Sequence, residues 1–385
     1  MKRRFPDDMP TGVFLCDAAT NDPVKIKELL MQKKKFAWLV RLIPPRVVMA
    51  LLPHLPMKLL KMGEVIITGE GGKQARIVTW GYPDYPARML RRPERTVRRL
   101  VSLARYLEAK GAKAICLGAN TAIVGDKGRT IERSVAIPVT NGNRLTDAFV
   151  KKAALHLFEL LGLEPGNLTL TVVGSGGSVG DGVCRLFLEL GIGKLFVVGS
   201  ALGKQRKQAE ELSTVFGIPV EERTLRDALR ESNLAVFASS ASSSGQTHDL
   251  DLADLPLGLI VIDMERPRDV SKQLAQCPWV LPNDGGMVAI QSEGKAGLGL
   301  PEGVFYPCFS ELGLFLLRGW KNKWCYPAYL QEIKDVMAAA EDEGYTLAAL
   351  RLNDNPLTDQ EILARWPLPL DDPIETEPVE RGRSK

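Results

Sequence analysis

Gly174-Ser-Gly-Gly-Ser-Val-Gly180 lies between an apolar run, Leu168-Thr-Leu-Thr-Val-Val173, and a helical pattern that begins near Val179. Such a loop does one kind of chemistry well. Glycine permits a tight turn and close backbone approach, and the N–H groups at a helix start attract a pyrophosphate. Gly174, Ser175, Gly176, Gly177, Ser178, Val179 and Gly180 are therefore the expected phosphate cradle of a dinucleotide, with Ala238 and Ser239 beside it at the end of a later strand. An acid after the second strand would bond the ribose hydroxyl of NAD. Gly199-Ser-Ala-Leu-Gly-Lys-Gln-Arg-Lys207 has no acid and offers Ser200, Lys204, Arg206 and Lys207 instead. A carboxylate would repel a 2′-phosphate and these side chains would pair with it, so NADP(H) is expected over NAD(H).

The six cysteines are scattered without a C-x-x-C pair, and the only histidines are His54, His156 and His248. No metal site is expected from them. Cys16, Cys116, Cys184 and Cys277 sit in or beside apolar segments and read as packing residues. His248, in a Ser-rich loop, reads as solvated. Cys308 differs, because Pro307 precedes it at the entrance of a helix. A thiol in a first helical turn feels the positive end of the helix dipole, which favours the nucleophilic thiolate. Position alone leaves packing and covalent catalysis both open.

These residues need a scaffold, and 385 residues with 45% apolar and 25% charged side chains supply one. Length and composition fit two globular domains and exclude a disordered tail protein, a collagen and a polytopic membrane protein. No apolar run approaches the ~20 residues that span a bilayer. Met1-Lys-Arg-Arg-Phe-Pro lacks a following apolar stretch, so no secretory leader is expected and a reducing cytoplasm is the natural compartment. The net charge of +4 does not by itself call for nucleic acid, and no nucleic-acid partner is expected.

The spacing predicts strands at Val65–Thr68 and Ala75–Trp80, a helix from Pro93 to Gly111, a strand at Ala114–Leu117, and a helix from Thr146 to Leu161. From residue 168 onward strands and helices alternate: Lys194–Val198, Arg206–Phe216, Ile218–Glu222, Leu225–Glu231, Ala235–Ala238, Leu259–Ile262 and Trp279–Leu281. This alternation argues for a doubly wound parallel sheet, an α/β Rossmann-type fold. Helices return at Phe309–Leu317 and Ala328–Glu343, and the proline-rich tail from Asp354 reads as loosely ordered. The expected division is 1–164 as a substrate domain, 165–300 as the dinucleotide domain, 301–350 as helices packing back on the first domain, and 351–385 as a tail.

Two further stretches invite a partner. Phe36–Leu60 is apolar and broken by prolines, fitting two short core helices, a wall around a greasy ligand, or a weak membrane-surface contact. Arg88, Arg91, Arg92, Arg95, Arg98, Arg99 and Arg105 crowd one segment, either as a solvated face or as a dock for something acidic.

The segment Cys308-Phe-Ser-Glu-Leu-Gly-Leu-Phe-Leu-Leu-Arg-Gly-Trp320 resembles the Cys-Phe-x-Glu helix of the long-chain acyl-(acyl-carrier-protein) reductases of cyanobacteria, in which Gly-Trp follows at the same register. Leu117-Gly118 with Thr121, Thr140-Asn-Gly-Asn143 with Thr146, Gly174–Gly180, Val261-Ile-Asp263 with Pro267, and Asp284-Gly-Gly286 are similar to that family's other landmarks, in the same order. The layout is more distantly similar to shikimate dehydrogenases and glutamyl-tRNA reductases. The resemblance spans about residues 55–345. It implies an α/β substrate domain joined to the Rossmann-type domain by long helices, and NADPH-dependent reduction of a fatty acyl thioester to an aldehyde, with Cys308 as the acylated nucleophile. Asn143 is then the candidate oxyanion donor, or else a residue of a helix cap, and Thr121 is either a site or a turn residue. The implied donor is acyl carrier protein or CoA, the carrier docking on Arg88–Arg105. A shikimate-type alcohol/ketone oxidoreductase without a covalent step, or a non-catalytic NADP-binding protein, are the alternatives.

Overall fold

The computed structural model describes residues 4–18, 20–31, 37–56, 61–239, 252–264, 274 and 277–366. Two six-stranded sheets organise the chain. The first contains β1 (Thr11–Cys16), β2 (Lys61–Thr68), β3 (Gln74–Gly81), β4 (Ala114–Leu117) and β5 (Val139–Thr140), in the order β2-β3-β1-β4-β5. A later segment, Ser292–Lys295, pairs antiparallel outside β2. Strands β3, β1, β4 and β5 run parallel, whereas β2 is antiparallel to β3.

The second sheet is wholly parallel: β6 (Thr169–Val173), β7 (Lys194–Val198), β8 (Val220–Glu222), β9 (Leu234–Phe237), β10 (Leu259–Asp263) and β11 (Val280–Asn283). Its strands are apolar runs because both faces are covered by other elements. The order β8-β7-β6-β9-β10-β11 is the doubly wound Rossmann order, which reverses between β6 and β9. Ligands of such sheets bind beyond the strand ends at that reversal. The glycine loop follows β6, and Ala238-Ser239 follow β9.

The helix Asn143–Leu161 links the two cores. Its first half, Leu145, Ala148 and Phe149, packs with Phe309 and Leu312 of the helix Pro307–Arg318. Its second half, Val150, Ala153, Ala154 and Leu157, packs with Leu170, Val172 and Val183 of the core around the second sheet. The Cys308 helix lies against β1 at Gly12, where a Cβ would come within 2.9 Å of Leu316 Cδ1 and 3.0 Å of Leu312 Cδ1. Phe309 stacks on Phe305 and meets Phe14 edge-on, with centroids 5.1 and 5.3 Å apart.

Several expectations are corrected. The helix placed at Thr146 begins at Asn143, because Gly142, at φ 73°, turns the chain and serves as its N-cap. The helix placed at Phe309 begins at Pro307. Ser292–Lys295, assigned by sequence to 165–300, hydrogen-bonds into the first sheet. The tail is ordered through its first part: Thr358 and Glu361 form a capping box on the helix Asp359–Arg365, and Leu357 and Ile362 are buried in the core around the second sheet. Residues 367–385 lie outside the described residues, as do His248 and Pro267. Among the described residues no helix is long and apolar enough to cross a membrane.

Candidate active site

Glycine is required where the loop after β6 meets the end of β9. Gly174 has φ 81°, and a Cβ there would stand 2.8 Å from Ser239 Cα and N. A Cβ on Gly180 would stand 2.2 Å from the Gly174 carbonyl oxygen, so the helix Ser178–Glu189 starts directly under the turn. No side chain caps that helix, leaving its first-turn amides directed at the loop. Gln205 spans the mouth, its amide close enough that a Cβ on Gly176 or Gly199 would meet it at 2.4 or 2.0 Å. Ser178 Oγ is buried without a hydrogen-bond partner in this cradle. Small residues, an uncapped helix start and an orphaned hydroxyl fit a dinucleotide pyrophosphate.

Gly174, Gly176, Gly177, Ser178, Val179, Ser200, Ala238 and Ser239 all line one cleft of about 900 Å³. Ser175 and Gly180 lie beneath it, fully buried, as the packed underside of the turn. Lys204 Nζ donates to Ser200 Oγ at 3.0 Å. Arg206, expected beside them, instead lines a separate groove of about 600 Å³ with Glu221 and Glu222. It is the first residue of its own helix, and the turn carries it past the cleft.

The same cleft reaches Tyr306, Pro307 and Cys308. Cys308 is half-buried and the other five cysteines are buried. It is the second residue of its helix, behind Pro307, which has no N–H to donate. A Cβ on Gly142 would stand 2.3 Å from Cys308 Cα, so the Asn143 helix starts against the Cys308 backbone and Asn143 lines the cleft next to it. Cys116 Sγ lies under the helix and donates to the Cys308 carbonyl at 3.2 Å.

Glu311, one turn beyond Cys308, is fully buried and holds this junction together. Its carboxylate accepts from Thr140 Oγ1 and, at 2.8 Å, from the Leu145 amide. Burial pushes its carboxyl up, and the neighbouring Arg144 guanidinium opposes that. Arg144 is itself buried, donating to Glu332, Trp324 O and Pro327 O. Burial also pushes up the thiols of Cys116 and Cys184, away from reactivity.

Away from Cys308, the cleft is walled by Phe14, Ile26, Leu29, Leu30, Leu52, Met62 and Leu298. Ile26, Leu29 and Leu30 belong to α1 (Pro23–Met31). Two helices follow, α2 (Ala37–Leu42) and α3 (Pro45–Leu51). The two short helices expected of this region are present and a third precedes them, but α2 buries none of its residues and so is not the core helix expected. Tyr82, on the same wall, has its phenol pushed up to about 12, chiefly by burial.

Of the arginine cluster, Arg91, Arg92, Arg95, Arg98 and Arg105 are exposed. Arg99 instead turns inward to Asp84, 3.8 Å away, and over the Tyr82 ring. Thr121 is fully buried, its hydroxyl 2.7 Å from Gly118 O and 3.0 Å from Leu15 O, and it serves the turn.

Asp17, Asn120, Lys127 and Gln205 line the cleft without having been singled out from the sequence, and Asp284, named there only as a landmark, lines it too. Asp17 accepts from the Asn120 amide at 2.9 Å and from its side chain at 3.1 Å, joining the loops after β1 and β4. The signal that could have found this pair is positional: both residues follow the carboxyl ends of parallel strands, where ligand sites gather.

No protein-family model matches the chain. It is 28% identical over 203 residues to aminotransferase PigE of Serratia sp. (strain ATCC 39006), covering 52% of this chain and 23% of that one. It is also 28% identical over 195 residues to the long-chain acyl-[acyl-carrier-protein] reductase of Synechococcus elongatus, covering 49% of this chain and 54% of that one. The chain thus spans about a quarter of one of these curated relatives and about half of the other. Among solved structures, shikimate 5-dehydrogenase of Listeria monocytogenes aligns at 13% identity with a TM-score of 0.37, over 88% of this chain and 99% of that one. L-tryptophan dehydrogenase of Nostoc punctiforme aligns at 14% identity with a TM-score of 0.35, over 87% of this chain and 80% of that one.

Proposed function

We propose that the protein is an NADPH-dependent reductase that converts a long-chain acyl thioester to an aldehyde through an acyl-enzyme on Cys308. The observation that carries this reading is that one cleft is lined by Cys308, by the glycine loop after β6 and by an apolar wall. The similarity to an acyl-carrier-protein reductase supports the same chemistry.

Cys308 Sγ attacks the thioester carbonyl carbon, the donor's thiolate leaves with a proton, and the acyl group remains as a thioester on the enzyme. The first turn of the Cys308 helix places positive partial charge beside that sulfur. The Asn143 side chain, next to it in the cleft, is the donor assigned to the carbonyl oxygen as negative charge develops there. Gly174, Gly176, Gly177, Ser178 and Val179 would hold the dinucleotide pyrophosphate, with Ser200 and Lys204 toward its ribose. When bound, the reduced nicotinamide supplies the hydride. That hydride would go to the acyl carbon, the bond from that carbon to the Cys308 sulfur breaks, and Cys308 returns as a thiolate as the aldehyde departs.

The apolar wall sets the substrate's size. Burying about fourteen methylenes of a C16 chain gains roughly 11 kcal/mol before ordering costs, at ~0.8 kcal/mol each. The exposed face of Arg91, Arg92, Arg95 and Arg98 suits an acidic carrier protein.

The test is NADPH oxidation with palmitoyl-carrier protein and palmitoyl-CoA side by side, with aldehyde measured by gas chromatography. Aldehyde equal to the NADPH consumed is expected from at least one donor. NADPH binding without aldehyde from either would instead mark a non-catalytic dinucleotide-binding protein.

A further inference from the structure

We propose that α2 and α3 form an interfacial surface that seats the protein on an anionic lipid bilayer. The helix α2, Ala-Trp-Leu-Val-Arg-Leu, has no buried residue although most of its side chains are apolar. Trp38 is 68% exposed and Leu42 77%. Leu39 beside them, and Val47 and Leu51 on α3, are exposed as well. Trp38 with Leu42 and Val47 with Leu51 are each four residues apart, so each short helix turns one apolar stripe to solvent, which marks an interaction surface.

The charges indicate which partner. Seven lysines and arginines but a single acid, Glu28, fall in residues 23–56. Lys25, Arg41 and Arg46 are exposed on the same three helices as the apolar side chains. Tryptophan and leucine flanked by cations are what an interfacial helix presents to acyl chains and anionic headgroups. An acidic protein would meet the same cations, and the experiment below separates it from a bilayer.

The opposite side of the unit strengthens the assignment. Ile26, Val48 and Leu52 form a small core of their own that holds α1 and α3 together, and Lys27 Nζ ties α1 to α2 through Arg41 O at 3.0 Å. Ile26 and Leu52, together with Leu29 and Leu30, wall the cleft. One helical unit therefore carries apolar groups toward the cleft and apolar groups toward solvent. Seated on a bilayer, it would bring the cleft wall to the membrane surface. The assignment stands on this surface alone and does not depend on the reductase reading.

The experiment is co-sedimentation of the full chain, without acyl donor or dinucleotide, with vesicles of phosphatidylcholine alone and with an equal part of phosphatidylglycerol. Binding to the anionic vesicles is expected to exceed binding to neutral ones by about tenfold and to weaken in raised salt. The double variant Trp38→Ser/Leu42→Ser should bind anionic vesicles at least about tenfold more weakly, with melting and NADPH binding unchanged. No sedimentation of the wild-type chain, equal binding to both vesicles, or undiminished binding by the double variant would overturn the proposal. Loss of carrier-protein affinity by that variant, with the wild type indifferent to vesicles, would make the surface a protein dock and equally overturn it. Vesicle binding by a chain that forms no aldehyde would fault the reductase reading alone.

Discussion

Gly142 and Cys308 touch through their backbones: a Cβ on Gly142 would stand 2.3 Å from Cys308 Cα and 2.7 Å from its carbonyl oxygen. The N-cap of one long helix is thus pressed against the first turn of another. Whatever fixes Gly142 also fixes the sulfur relative to Asn143.

Gly142→Ala is expected to combine two penalties. The residue has φ 73°, which costs a non-glycine side chain roughly 1–2 kcal/mol, and the added methyl also displaces Cys308. Gly162, at the other end of the same helix, has φ 65° with nothing within 4 Å of the place an added methyl would take. Gly162→Ala should lose only about 1 kcal/mol and keep its turnover. Chemical denaturation and aldehyde assays on the pair check this, since only Gly142→Ala should lose activity well beyond its loss of stability.

The Arg144–Glu332 pair anchors the C-terminal helices to the Asn143 helix. The arginine side chain is 2% exposed and the glutamate 26%, with Nη2 and Oε2 2.6 Å apart. Glu332→Ala leaves the guanidinium with the Trp324 and Pro327 carbonyls but without the carboxylate it hydrogen-bonds. A loss of about 2–3 kcal/mol is expected, below the ~3–5 kcal/mol of a fully sealed pair. Urea unfolding measures it. Arg144→Met with Glu332→Leu should recover part of the loss, because the buried charge goes with its partner.

Asp147 gives the fold a pH signature. Both of its oxygens are buried without a hydrogen-bond partner, against Gly182 of the glycine-loop helix. Burial above all, with the Glu311 charge next, raises its carboxyl well above the ordinary 3.8, and Arg144 opposes this. The folded chain keeps a proton that the unfolded chain releases. The stability contributed by this group is therefore complete below the unfolded value and is lost as pH rises toward the folded one. Melting temperatures should fall from about pH 4 upward more steeply in the wild type than in Asp147→Asn. Parallel curves for the two would refute the assignment.

Much of the scaffold is legible in the sequence, and the unread parts have physical causes. The helix Arg206–Phe216 and the strands Ala114–Leu117 and Lys194–Val198 stand at their expected bounds, because Gly, Pro and apolar spacing punctuate them. β1 escapes such reading: all six of its residues are buried, so Thr-Gly-Val-Phe-Leu-Cys shows no alternation. Ser-Glu-Gly-Lys at 292–295 is an exposed edge strand whose register comes from β2 rather than from its own pattern. In the site, the glycine loop announces itself by local spacing, whereas Asp17 and Asn120 lie 103 residues apart and meet only through the sheet. Arg206 departs from its expected place for a related reason, since distance along a loop does not say which side of the following helix a side chain takes.

Dinucleotide choice is open to a direct measurement. Lys204 donates to Ser200, which lines the cleft, while Arg206 points into the other groove. Lys204→Ala should weaken NADPH binding about tenfold, the effect of removing one charge-assisted contact of ~1.5 kcal/mol. NADH affinity should hardly change, and Arg206→Ala should move neither much. Fluorescence titration of both dinucleotides against the three proteins reads the difference.

The most direct measurement is the intact mass of the protein after incubation with palmitoyl thioester in the absence of NADPH. A single palmitoyl adduct is expected on the wild-type chain, mapping to Cys308 on digestion and discharged when NADPH is added. Cys308→Ala should carry none while still binding NADPH. An adduct of equal yield on Cys308→Ala, or aldehyde formation surviving that substitution, would contradict covalent catalysis at this sulfur.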